Sequence, residues 1–115
     1  MSKGRKQKST RKLKSVLIHT TVANKADADR LADAMIFRKW AACVQVIGPI
    51  TSHYRWKNKV TTSREFFLQI KAPQSQMKTL CKFLEREHPY EIPEILVFKI
   101  DLVGQSYGQW MVSGS

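Results

Sequence analysis

Acidic residues are scarce in this chain: 9 Asp and Glu stand against 20 Lys and Arg in 115 residues, for a formal net charge of +11. The shortage is greatest in residues 1–15, which hold Lys3, Arg5, Lys6, Lys8, Arg11, Lys12 and Lys14 and no acid at all. That segment carries +7, so residues 16–115 are only mildly positive at +4. Long hydrophobic runs are missing too. No stretch approaches the ~20 apolar residues that span a bilayer, and the basic N-terminus lacks the apolar core of a secretory signal. Cysteine is rare: Cys43 and Cys81 show no repeated spacing, which argues against a disulfide framework or a zinc site. Both are expected as small buried hydrophobes in a reducing compartment, with the cytoplasm as location. Three motifs of function are absent as well. There is no Gly-rich phosphate loop, no RNP-like run on a strand, and no third group to orient a Cys/His nucleophile pair. The expectation is therefore a protein that is not an enzyme and has no specific nucleic-acid partner.

What is present divides into a leader and one domain. Residues 1–15 contain almost nothing apolar besides Met1 and Leu13, so they are expected to be a disordered basic leader. The leader reads first as a solubilising or addressing segment. Its second reading is an arm whose seven cations hold nucleic acid without regard to sequence, through counterion release. Residues 16–115 are long enough for one domain. Val16–Thr21 is short, β-branched and apolar, which predicts a buried first strand, with His19 as a hydrogen-bonded strand residue. Asn24 caps a helix in which Ala28, Leu31, Ala32, Met35 and Ile36 form one apolar stripe, closed by Arg38 and Lys39 at the negative end of its dipole. Ala41–Ile47 predicts a second strand ending at Gly48-Pro49, and Thr51–Trp56 a third. A turn at Lys57-Asn58-Lys59, with Asn58 at positive φ, then leads into a long fourth strand from Val60 to Lys71. A second helix starts near Pro73 and Ser75 and buries Met77, Leu80, Cys81 and Leu84. Ile95–Leu102 predicts the last strand, and Tyr107–Val112 a short helical turn.

The order β-α-β-β-α-β is a split βαβ arrangement. With right-handed crossovers it gives an α+β, ferredoxin-like sandwich with a long β-hairpin and both helices on one face of the sheet. The other face needs a cover, and an exposed strand of that length needs a partner. Both features point to oligomerisation. Between the second helix and the last strand lies His88-Pro89-Tyr90-Glu91-Ile92-Pro93-Glu94. Two prolines stiffen this corner, and it carries an imidazole, a phenol and two carboxylates. It reads either as a site or as a packed structural corner.

Several blocks together resemble the CutA family of divalent-cation tolerance proteins: Trp40-Ala41-Ala42-Cys43-Val44-Gln45, Thr51–Trp56, Ile70-Lys71, His88–Ile95 and Tyr107-x-x-Trp110. The resemblance covers about residues 16–112. It implies a PII-like homotrimer that binds copper or another divalent cation weakly, without catalysis, and needs no cofactor to fold. Carried over position by position, it implies His88, Glu91 and Cys43 as metal ligands, His88 foremost. It implies Lys71, Tyr90, Tyr107 and Trp110 near the clefts between subunits, where Lys71 would instead favour a small anion, as in a PII-like regulatory trimer. The chain departs from the family in six places, one of them a link from Gly104 to Tyr107 that is one residue short. The first helix opens Thr21-Val22-Ala23-Asn24 without the usual proline, the hairpin glycine is Asn58, and Gln45 and Ala72 replace Asn and Thr. Thr20 stands where some members carry a cysteine ligand.

Overall fold

The structure, a computed structural model, describes residues 10–11 and 13–113. Alternating apolar residues organise a four-stranded antiparallel sheet. β2 (Ser15–Val22) buries Val16, Ile18 and Val22 on one face, and β4 (Lys59–Pro73) buries Leu68, Ile70 and Ala72 on the same face. The strand order is β3 (Cys43–Trp56), β4, β2, β5 (Leu96–Lys99), so β3 and β5 are the edges. Two helices cover that face. α1 (Lys25–Phe37) contributes Ala28, Leu31 and Met35, and α2 (Met77–Glu87), preceded by a 3₁₀ turn at Gln74–Gln76, contributes Leu80, Phe83 and Leu84. This is the expected ferredoxin-like β-α-β-β-α-β order. No helix among the described residues is long and apolar enough to cross a membrane.

The expected break at Gly48-Pro49 is a bulge instead. Ile47 pairs with Phe67 and Ile50 with Glu65, so three steps on β3 match two on β4, and the two predicted strands are one of 14 residues. Proline lacks a ladder donor and a bulge absorbs it without ending the strand. Opposite it, β4 runs unbroken for 15 residues, longer than expected. The hairpin closes with both Lys57 (φ 50°) and Asn58 (φ 66°) left-handed, the geometry that matches the twist of paired strands. It stretches the molecule to 57 Å against 25 and 21 Å in the other directions.

Asn24 caps α1 as expected, its Oδ1 accepting from the Asp27 amide at 2.8 Å. Arg38 and Lys39 lie just past the helix rather than in its last turn, and Ile36 is exposed rather than part of the buried stripe. Cys43 and Cys81 are free and only half-buried, not the buried thiols expected. The last strand is also shorter than expected. Ile100 donates to the Ser15 carbonyl at 3.0 Å, and Ser15 is where β2 begins, so no ladder partner remains beyond it.

The leader reaches further into the fold than a boundary at residue 15 allows. β1 (Thr10–Arg11) pairs with β6 (Val103–Gly104), and Ser15 is buried. Leu13 lies against Gly108 of α3 (Gln105–Val112), so closely that a Cβ there would stand 2.5 Å from Leu13 Cδ1. Of the expected arm, Lys14 is exposed, while Lys3, Arg5, Lys6, Lys8 and Lys12 lie outside the described residues.

Candidate functional site

Pro89 ends α2, and His88, its C-cap in extended backbone, turns its ring inward. His88 is 8% exposed. Its Nδ1 accepts the Tyr90 amide at 3.0 Å, so the proton sits on Nε2, which donates to the Thr21 carbonyl at 2.9 Å and lies 3.0 Å from Thr20 Oγ1. Burial pushes the imidazole below its ordinary pKa, against the weaker upward pull of the Thr21 hydrogen bond. The ring thus ties the corner to β2 as a neutral group with both nitrogens engaged.

Tyr90 packs against the His88 ring, centroids 4.9 Å apart and planes inclined by 58°, and sends its hydroxyl to Glu65 Oε2 at 2.7 Å. Burial, then the Glu65 hydrogen bond, raises the phenol well above its usual value, so it stays a donor. Glu65 is only 7% exposed. Its other oxygen has no hydrogen bond, and its carboxylate no ion pair, among the described residues.

Glu65 and Tyr90 line a cleft of about 790 Å³ between the hairpin and the corner, with Tyr54, Trp56, Glu91 and Glu94 among its walls. That volume falls within the roughly 300–1,000 Å³ of small-molecule sites. Three of the chain's 9 acids line the cleft and, among the described residues, no Lys or Arg does, although Lys57 Nζ stands 5.9 Å from the centre of the Trp56 ring. In a strongly basic chain, this is a local region that favours cations.

The expected ligand set does not assemble within one chain. Cys43 pairs with Lys71, which pairs with Leu17, three positions along β2 from Thr20 and on the opposite face. Glu91 lines the cleft while His88 points away into the sheet. No group of three or more His, Cys, Asp and Glu able to hold a metal occurs among the described residues. The cleft residues divide in the same way. Tyr90 stays with Glu65, whereas Lys71 lies six residues further along β4, roughly 20 Å away at strand rise. There Lys71 meets α3, its Nζ 3.4 Å from the Tyr107 hydroxyl and 5.5 Å from that ring's centre, beside the Tyr107–Trp110 ring pair.

Sequence reasoning missed Glu65. An acid between Arg64 and Phe66 reads as a solvated strand residue, although Glu is depleted in strands, and that was the available signal. It also assigned no role to Tyr54 and Trp56 beyond strand formation.

Residues 16–114 match the family described as CutA1 divalent ion tolerance protein. The chloroplastic protein CutA of Arabidopsis thaliana is 31% identical over 107 residues, covering 93% of this chain and 59% of its own length. The divalent-cation tolerance protein CutA of Pectobacterium atrosepticum is 32% identical over 97 residues, 84% of this chain and 88% of that protein. The chain spans about half to three fifths of the plant and animal relatives it matches. The structure of CutA from Synechococcus elongatus superposes with a TM-score of 0.87 at 32% identity, covering 92% of this chain and 95% of that one. Sequence and fold agree over nearly the whole domain, hairpin and corner included, and on that ground the chain belongs to the CutA1 divalent ion tolerance family.

Proposed function

We propose that this chain acts in divalent-cation tolerance as a non-catalytic homotrimer that holds copper or another divalent ion weakly on the carboxylates of the hairpin cleft. The observation that carries this reading is the gathering of Glu65, Glu91 and Glu94 in one cleft that no Lys or Arg lines among the described residues. Oxygen donors that do not converge on a point suit a loosely held, partly hydrated ion. Soft-metal affinity is weakened further at Thr20, whose hydroxyl serves His88 where some family members place a thiol. Assembly is supported by the helix-free sheet face, where Ile47, Leu96 and Phe98 are about half exposed. Native mass spectrometry with and without copper tests both parts. A trimer that takes up about three ions, and loses them in Glu91→Gln, supports the reading; a trimer that stays empty sinks the metal part. Thr20→Cys should raise copper(I) affinity at least about tenfold by placing a soft donor beside His88.

Lys71 favours a second reading, a regulatory trimer that takes a small anion. It has no carboxylate partner among the described residues and lies between Cys43 and the Tyr107 ring. Nucleotide- or phosphate-dependent gains in melting temperature that vanish in Lys71→Met would establish it.

A further inference from the structure

Glu65 is a buried carboxylate whose charge nothing in the described chain balances. Removing a carboxylate from water costs several kcal/mol unless a cation or full hydrogen bonding compensates. Here the Tyr90 hydroxyl satisfies Oε2 alone, Oε1 has no hydrogen bond among the described residues, and Glu65 lines a cleft. A tightly coordinated metal ion is a poor match for Glu65 alone, because hard cations take six or more oxygens at 2.0–2.6 Å and no preformed ligand cluster occurs among the described residues; the loosely held, hydrated ion proposed above is the competing occupant. The walls add a different specificity. Tyr54, Trp56 and Tyr90 present aromatic rings, the Trp56 ring with the Nζ of exposed Lys57 5.9 Å from its centre, and Pro89 and Ile92 add apolar surface. Aromatic faces beside a carboxylate are the recognition chemistry of an ammonium group, and an N–H on that ammonium satisfies the free oxygen.

We propose that this cleft binds a protonated organic amine, its N–H donating to Glu65 Oε1 and its carbon body resting against Tyr54, Trp56 and Tyr90. Glu91 and Glu94 at the rim draw the cation in. This deepens the cation-seeking reading of the same cleft and rests on it, but names a different occupant. Glu65 lies on the helix-free side of the sheet, since it shares its face with Phe67 and Gln69 while Leu68 and Ile70 face the helices.

Calorimetric titration of the full chain with benzylamine tests the inference. Three controls accompany it: benzyl alcohol, which keeps the ring and loses the charge; benzyltrimethylammonium, which keeps the charge and loses the N–H; and zinc. Saturable benzylamine binding is expected, at least tenfold tighter than benzyl alcohol and severalfold tighter than benzyltrimethylammonium. Glu65→Gln keeps an acceptor for Tyr90 and should lose at least tenfold in benzylamine affinity, as should the exposed-ring variant Trp56→Leu. Equal binding of benzyl alcohol, or full affinity in Glu65→Gln, overturns the proposal. Benzylamine binding without zinc binding supports the amine site over a zinc site in this cleft and leaves the copper reading to its own titration. Zinc without benzylamine overturns the amine site and leaves the metal reading standing.

Discussion

At the scale of single residues, three side chains hold the corner in place, and each makes a distinct contribution. The Tyr90 hydroxyl is the one hydrogen-bond donor to the Glu65 side chain among the described residues. Tyr90→Phe therefore strips a buried carboxylate of its partner, and hydrogen bonds to charged groups are worth about 1.5–3 kcal/mol. Urea denaturation should show a loss of that size; a loss under about 0.5 kcal/mol would mean that water already serves Glu65. His88 makes stability depend on pH. Burial lowers its folded pKa, so on acidification through about 6.5 the unfolded chain takes up a proton that the folded chain resists. The unfolded state then binds more protons, and stability falls as pH falls; above that window the contribution is intact. Between pH 7.5 and 5.5 the wild type should lose more melting temperature than His88→Gln, which has no imidazole to protonate. Equal losses would assign the acid sensitivity to other groups.

At the scale of elements, the end of α1 shows what local pattern leaves undecided. Lys39 is left-handed at φ 61°, and the chain reverses around it as Trp40 and Ala41 both donate to the Met35 carbonyl. Glycine usually takes this position because a Cβ there costs about 1 kcal/mol. Lys39→Gly should therefore raise unfolding free energy by about 0.5–1 kcal/mol, less the greater flexibility it gives the unfolded chain; a melting temperature that falls would overturn the assignment of strain. The sequence shows a cationic helix end at Arg38 and Lys39 but not which residue bends backward. Gly48-Pro49 is a similar case. Glycine and proline mark a bulge and a strand end equally well, and only the unbroken run Phe67 to Glu65 on β4 decides between them. Periodicity did locate the buried faces of both helices, because there burial follows the repeat. Phe83 escaped because it packs edge-on against Trp40, 43 residues earlier in the chain.

At the scale of the whole molecule, the corner was legible because two prolines and four polar side chains fall together in eight residues. The cleft was not. Its deepest group, Glu65, lies 25 residues from Tyr90 and is buried only through tertiary contact. The same limit applies to assembly, where the sequence implied an uncovered face but could not show which residues lie on it. They are now explicit. His19 is held between Phe67 and Phe98, at 4.8 and 4.7 Å, and bonds Gln69, which in turn bonds Gln45. This polar line across β2, β4 and β3 has apolar Leu96, Phe98 and Ile47 exposed around it. Phe98 lies on the short edge strand with 46% of its surface in solvent. Phe98→Glu should thus cost the single chain little, since surface substitutions usually stay within about 0.5 kcal/mol. Placed between copies, the same carboxylate would be buried without a partner, at several kcal/mol per subunit. Light scattering should then show the 13.3 kDa chain alone in the variant, with an unchanged circular dichroism spectrum, and three times that mass in the wild type. A variant that remains trimeric would move the subunit contact off this face and onto the edges of the long hairpin.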